Sequence, residues 1–169
     1  MTRTRLSIRS LVALALCIVP AAPAVAGIAD SPLPVLSAGA TTFHLYSVPG
    51  VIETGGLGTF FSCTSTDTAT IQVGVELFFS FGGAPANDAA ATSLSVAPGA
   101  TVIFGTGGAV GISISSSLGG GFMSKGSARV LATSKKLACT TFLADKGNDP
   151  PTSMAQLTII AKVKQKAHN

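Results

Sequence analysis

Of the 169 residues, 47% are hydrophobic and 11% charged, with 19 glycines and no tryptophan. The formal charge of +4 comes from eleven Lys and Arg against seven Asp and Glu, and Arg3, Arg5 and Arg9 supply three of those bases at the very start. Eleven less three leaves eight bases against seven acids, about +1, which removes the electrostatic case for a nucleic-acid partner.

Those arginines open a segment with the three parts of an export signal. A basic start is followed by an apolar stretch from Leu11 to Ala22 and by Ala24-Val25-Ala26, a small-x-small cleavage site. The apolar stretch is short for a bilayer span of roughly 20 residues, and Pro20 and Pro23 interrupt the segment. Residues 1–26 are therefore expected to be a signal peptide cut after Ala26, and the protein to be secreted or periplasmic. No later apolar run is long enough for a membrane span. The remainder suffices for one domain with a real core. It divides into an extended segment over 27–56 and a β-sandwich domain over 57–169 that ends in a short basic tail.

Along the chain, "GIADSPLPVLSAGA" from Gly27 has Pro32 and Pro34 and no hydrophobic period, so it reads as an extended lead-in. Thr41–Val48 is expected as the first strand, stopped by Pro49-Gly50, and Gly55, Gly56 and Gly58 mark a turn. Phe60 and Phe61 lead into Cys63, and Asp67 centres a polar turn. Ile71, Val73, Val75, Leu77, Phe79 and Phe81 recur at every second position with Gln72, Glu76 and Ser80 opposite, the pattern of a half-buried strand. Gly82–Ala90 is a loop. Ala91–Thr106 reads as a strand, a type II turn at Pro98-Gly99 and a second strand. Alternation through Ile112 and Ile114 predicts another strand in Ala109–Ser117, and the composition from Leu118 to Gly126 a mobile loop. Ser127–Ser134 and Leu137–Ala144 are two more strands. Asp145–Ser153 is the last long turn, and the chain then alternates through Leu157, Ile159, Ala161 and Val163. About eight short strands, with no capped amphipathic helix, predict an all-β fold, an antiparallel β-sandwich or a barrel.

Export also bears on the cysteines. Cys17 leaves with the signal, so Cys63 and Cys139 remain, and an oxidising compartment allows them a single intramolecular disulfide. No C-x-x-C spacing offers a redox or metal pair.

The strand–turn–strand unit "SLSVAPGATVIF" (Ser93–Phe104) and two strand cysteines 76 positions apart resemble small exported bacterial immunoglobulin-like modules, over most of Thr59–Val163. The resemblance is one of architecture. It implies a single antiparallel immunoglobulin-like sandwich, with the disulfide bridging facing sheets. Antibody-type domains also carry a core Trp and a Tyr two residues before the second Cys; this chain has no Trp and has Leu137 there. A sandwich by itself implies no function.

The candidates for chemistry are few. "TVIFGTGGAVG" (Thr101–Gly111) has Val110 where a dinucleotide fingerprint needs its third glycine, and strand-like residues follow in place of a helix. His44 and His168 are the two histidines, and no G-x-S-x-G elbow accompanies them. Asp145, Asn148 and Asp149 offer calcium-type oxygens in one turn, but turn chemistry accounts for them and the twelve-residue calcium loop is absent. Lys162, Lys164 and Lys166 fall on one strand face, where charge guards an edge against aggregation; contact with an anionic polymer is the rival reading. The expectation is a non-enzymatic structural, surface or ligand-binding module with no cofactor, no catalytic residue and no metal ligand, whose partner is an unidentified surface, polymer or protein. Any binding surface is expected in the glycine-rich stretch, at Gly105, Gly107, Gly108, Gly119, Gly120, Gly121, Phe122 and Lys125, because long loops of this kind are functional or mobile. The alternatives are a small secreted hydrolase with a loop-assembled site and a self-assembling surface subunit.

Overall fold

The computed structural model describes residues 27–162; the expected signal segment and the tail residues Lys164, Lys166 and His168 lie outside them. Every regular element described is a strand: β1 (Phe43–Thr54), β2 (Leu57–Ser65), β3 (Ile71–Phe79), β4 (Leu94–Val96), β5 (Thr101–Gly105), β6 (Ser116–Ser117), β7 (Met123–Ala132), β8 (Leu137–Asp145), β9 (Met154–Leu157) and β10 (Ile160–Ala161). The count exceeds the expected eight partly because the C-terminal alternation breaks after Leu157 and resumes on a different neighbour. Ile112 and Ile114 form no strand. Only Ser116 and Ser117 pair with β5, and they do so in parallel, so the sheet is mixed.

The strands run in the order β4-β3-β7-β1-β2-β5-β6, with β8 on the other edge of β2, β9 beyond it, and β10 beside β1. The β1–β2 hairpin turns through Gly55-Gly56, both at positive φ (56° and 79°), which suits a two-residue type I′ turn between twisted strands. Beyond two residue pairs the hairpin splays. β1 continues along β7, while β2 continues between β5 and β8. Across the splay, the buried Thr59 hydroxyl accepts from the Ile52 N–H (2.9 Å) and donates to the Ile52 carbonyl (3.0 Å), while Thr106 Oγ1 accepts from the Thr59 N–H (3.0 Å). Two threonines thereby satisfy backbone groups that the ladder leaves open.

The chain crosses between the two groups of strands at several turns. Pro98-Gly99 makes the expected type II turn, with the Ala97 carbonyl accepting from the Ala100 N–H at 3.0 Å and Gly99 at φ 72°. Yet the strands it joins do not pair with each other: β4 pairs with β3, and β5 with β2. β7 and β8, adjacent in sequence, part in the same way. The result is a mixed sheet nearly closed into a barrel, with β4 and β6 at the two ends of the strand order.

One apolar core fills it, including Val48 and Val51 of β1, Phe61 of β2, Val73, Val75 and Leu77 of β3, Phe104 of β5 and Val130 of β7. β3 is not half-buried as its alternation suggests. Its second face is covered too, with Glu76 4% and Phe78 2% exposed. The lead-in Gly27–Leu36 lies over that face as a strap, and Leu36 packs with Ala89 and Leu131 in a second small apolar cluster. Arg129, 1% exposed on β7, pairs with Glu76 opposite it on β3 and donates to the carbonyls of Ser31 (3.0 Å) and Pro32 (2.9 Å). A charge that alternation assigns to solvent is thus buried with its partner.

The disulfide Cys63–Cys139 is present, but not between facing sheets. It joins directly opposed residues of the neighbouring strands β2 and β8, with Cα atoms 4.1 Å apart. The pairing of β2 with β8 is what puts the two sulfurs in reach of each other.

Candidate functional site

The glycine-rich stretch splits into two parts. Gly105 ends β5 against the Phe60 ring, Gly107 lies against the Glu53 carboxylate, and Gly120 lies against Leu77, where a Cβ would come within 2.5 Å of a Leu77 methyl. These glycines serve close packing. Gly108 is exposed, and Gly119, Gly121 and the 73% exposed Phe122 edge a shallow depression with Glu53 and Lys146. In that depression the Glu53 carboxylate is already engaged, accepting from the Lys146 ammonium and from Thr106 Oγ1 at 2.7 Å. Lys125 stands apart, on β7, beside a cleft that Gly27 and Ile28 of the strap also line. The stretch from Leu118 to Met123, expected as a mobile loop, sends Leu118 and Met123 into the main core.

Asp145 is likewise spoken for. Its carboxylate accepts from the N–H groups of Thr152 (2.6 Å), Ser153 (2.8 Å) and Asn148 (3.2 Å), closing the Asp145–Ser153 turn. The Ser153 hydrogen bond leads in lowering its pKa to about 2. Asp67 does the same at the opposite turn, held at about 2 first by the Ser134 hydroxyl. Among the described residues no three His, Cys, Asp or Glu cluster as metal ligands would.

A concavity of about 1000 Å³ lies where the strap meets the start of β1 and β10. Ile28, Ala29 and Leu33 form one wall, Thr42–Ser47 the floor, and Lys135 with Ala161 and Lys162 the far side. Strand β10 brings Lys162 here by pairing with Tyr46 and Ser47, and Lys135 sits over the Phe43 ring, 4.9 Å from its centroid. Among the described residues the lining thus combines apolar walls with two cations and contains no carboxylate.

His44 is in this floor. Its Nε2 is 3.0 Å from Ser47 Oγ, and its Nδ1 is buried without a partner. Burial, then the charges of Lys162 and Arg129, lower its pKa to about 4. A histidine–serine contact of this kind is half of a nucleophilic dyad, but among the described residues no acid orients the imidazole, and a base with so low a pKa takes up a proton poorly near neutrality. Sequence reasoning singled out His44 and Lys162 but not their meeting in one cleft, whose wall comes from the lead-in and whose other cation, Lys135, comes from the β7–β8 turn. One signal was readable: after Arg9 the chain has a single arginine, Arg129, in the middle of an apolar strand.

Comparison of the chain with protein-family models, with curated proteins and with solved structures finds no match. Among the described residues no helix is long and apolar enough to cross a membrane.

Proposed function

We propose that this is an exported, non-catalytic binding module that takes a ligand with an apolar body and an anionic group into the cleft between the strap and β1. The observation that carries the reading is the composition of the cleft wall: Ile28, Leu33, Phe43 and Leu45 beside Lys135 and Lys162, with no acid among the described residues of the lining. Apolar walls with a few convergent polar groups are the usual make-up of a small-molecule site. The disulfide is compatible with an oxidising compartment outside the cytoplasm. Two groups of strands around one core are what an immunoglobulin-like sandwich would share with this molecule, and such a scaffold leaves function to its surface.

Protein purified from an exporting host and titrated calorimetrically with dodecanoate is expected to bind it saturably. Dodecanol should bind at least tenfold more weakly, and Lys162→Glu should weaken dodecanoate by a similar factor, on the order of 1.4 kcal/mol. Absence of any saturable heat with either probe would refute the cleft as a binding site. The contact between His44 and Ser47 favours one rival, a small hydrolase. On that rival, turnover of p-nitrophenyl butyrate would be measurable and abolished by Ser47→Ala; the binding reading expects no turnover in either protein.

A further inference from the structure

The strap is more than a lead-in: it is closed by a turn at Gly27. The Gly27 nitrogen donates to Asp30 Oδ1 at 2.6 Å, and the Gly27 carbonyl accepts from the N–H groups of Ser31 (2.9 Å) and Asp30 (3.3 Å). The next residues are gripped from below. Arg129 holds the Ser31 and Pro32 carbonyls and reaches the Ile28 carbonyl at 3.4 Å, while Ile28, Ala29 and Leu33 form the wall of the cleft. Immediately before this turn stands Ala24-Val25-Ala26, whose small residues suit a leader peptidase.

We infer that hydrolysis of the Ala26–Gly27 peptide bond is a maturation step that the fold uses, because the amine it releases becomes half of an ion pair with Asp30. Water adds across the amide: the carbonyl carbon of Ala26 leaves as a carboxylate, and the Gly27 nitrogen, protonated near neutrality, becomes an ammonium. No group has to move to meet the new charge, since the Asp30 carboxylate already accepts from that nitrogen. A neutral amide hydrogen bond is thereby exchanged for a charge-assisted one, the stronger kind. Among the described residues the other charged groups around the start of the strap are Lys125, which lines a cleft with Gly27, Lys135 and Lys162 across the cleft from Ile28 and Ala29, and Arg129, which is already committed to Glu76. Asp30 is therefore the counter-charge for the terminus, and cleavage tightens the end of the strap that walls the cleft.

The test uses protein exported by its host and recovered in native form. Intact mass and N-terminal sequencing are expected to give Gly27 as the first residue; a different terminus, or none, would overturn the assignment. Asp30→Asn in the processed protein should lower Tm by about 1–3 °C at pH 6.5. That difference should shrink as pH rises past about 8, where an α-amino group loses its proton. A difference that persists unchanged to pH 10 would mean that Asp30 only caps a turn, and the ion pair would be wrong. Neither readout involves the ligand, so the cleft proposal can fail while this one stands.

Discussion

At the scale of single residues, His44 shows how position overrides type. An exposed imidazole titrates near 6.5, whereas partial burial in the cleft floor and the nearby Lys162 and Arg129 hold His44 at about 4. Between those values the unfolded chain binds the proton and the folded one does not, so this residue's contribution is full above about 6.5 and is lost as pH falls toward 4. Urea midpoints measured from pH 7 to pH 4 should therefore decline, and His44→Gln should flatten the decline. Asp67 and Asp145 do not confuse the reading, because their usual value of 3.8 and folded value of about 2 place their losses below this window. From the sequence alone, a strand histidine such as His44 reads as a surface or satisfied residue. Its Ser47 contact fits that reading, but its orphaned Nδ1 does not, and that difference depends on what covers the strand.

At the scale of elements, β3 repays attention because its alternation is correct and yet incomplete. Ile71, Val73, Val75 and Leu77 face the main core as period two requires. The opposite face is decided by the strap, which arrives from 45 residues or so earlier in the chain and brings no periodic signal of its own. Glu76 and Arg129 meet there because β3 and β7 are in register at that pair, and the strap carbonyls complete the arginine's hydrogen bonds. Removing one partner leaves a buried charge alone, so Glu76→Ala is expected to cost about 3–5 kcal/mol. Replacing both, as Glu76→Leu with Arg129→Met, should recover much of that loss in chemical denaturation. If the double variant is as unstable as the single, the pair is not the coupled unit described. The loop after β3 adds a second device that sequence alone left as punctuation. Asn87 accepts from the Leu77 N–H (2.8 Å) and donates to the Val75 carbonyl (2.9 Å), covering the strand edge beyond the end of β4.

At the scale of the whole molecule, the disulfide closes a loop of chain that contains β3 to β7 and ties it to neighbouring strands. In the chain-entropy model a loop of that length is worth about 4–5 kcal/mol, mainly through the unfolded state. Cys63→Ala with Cys139→Ala should lower the urea midpoint accordingly while leaving the far-ultraviolet dichroism β-type; a change in the spectrum would mean that the bond also sets the pairing. Period-two hydrophobicity, glycine and proline punctuation and the absence of a helical repeat were local properties, so the sequence by itself determined an all-β chain, its type II turn and most of its strands. Which strand lies beside which was not local. Turns such as Pro98-Gly99 look alike whether their flanking strands pair or diverge, and only the tertiary structure sent β4 and β5 to different neighbours. The cleft depends on the same kind of choice, because its two lysines are far in the chain from its strap and floor and are brought there only by long-range pairing.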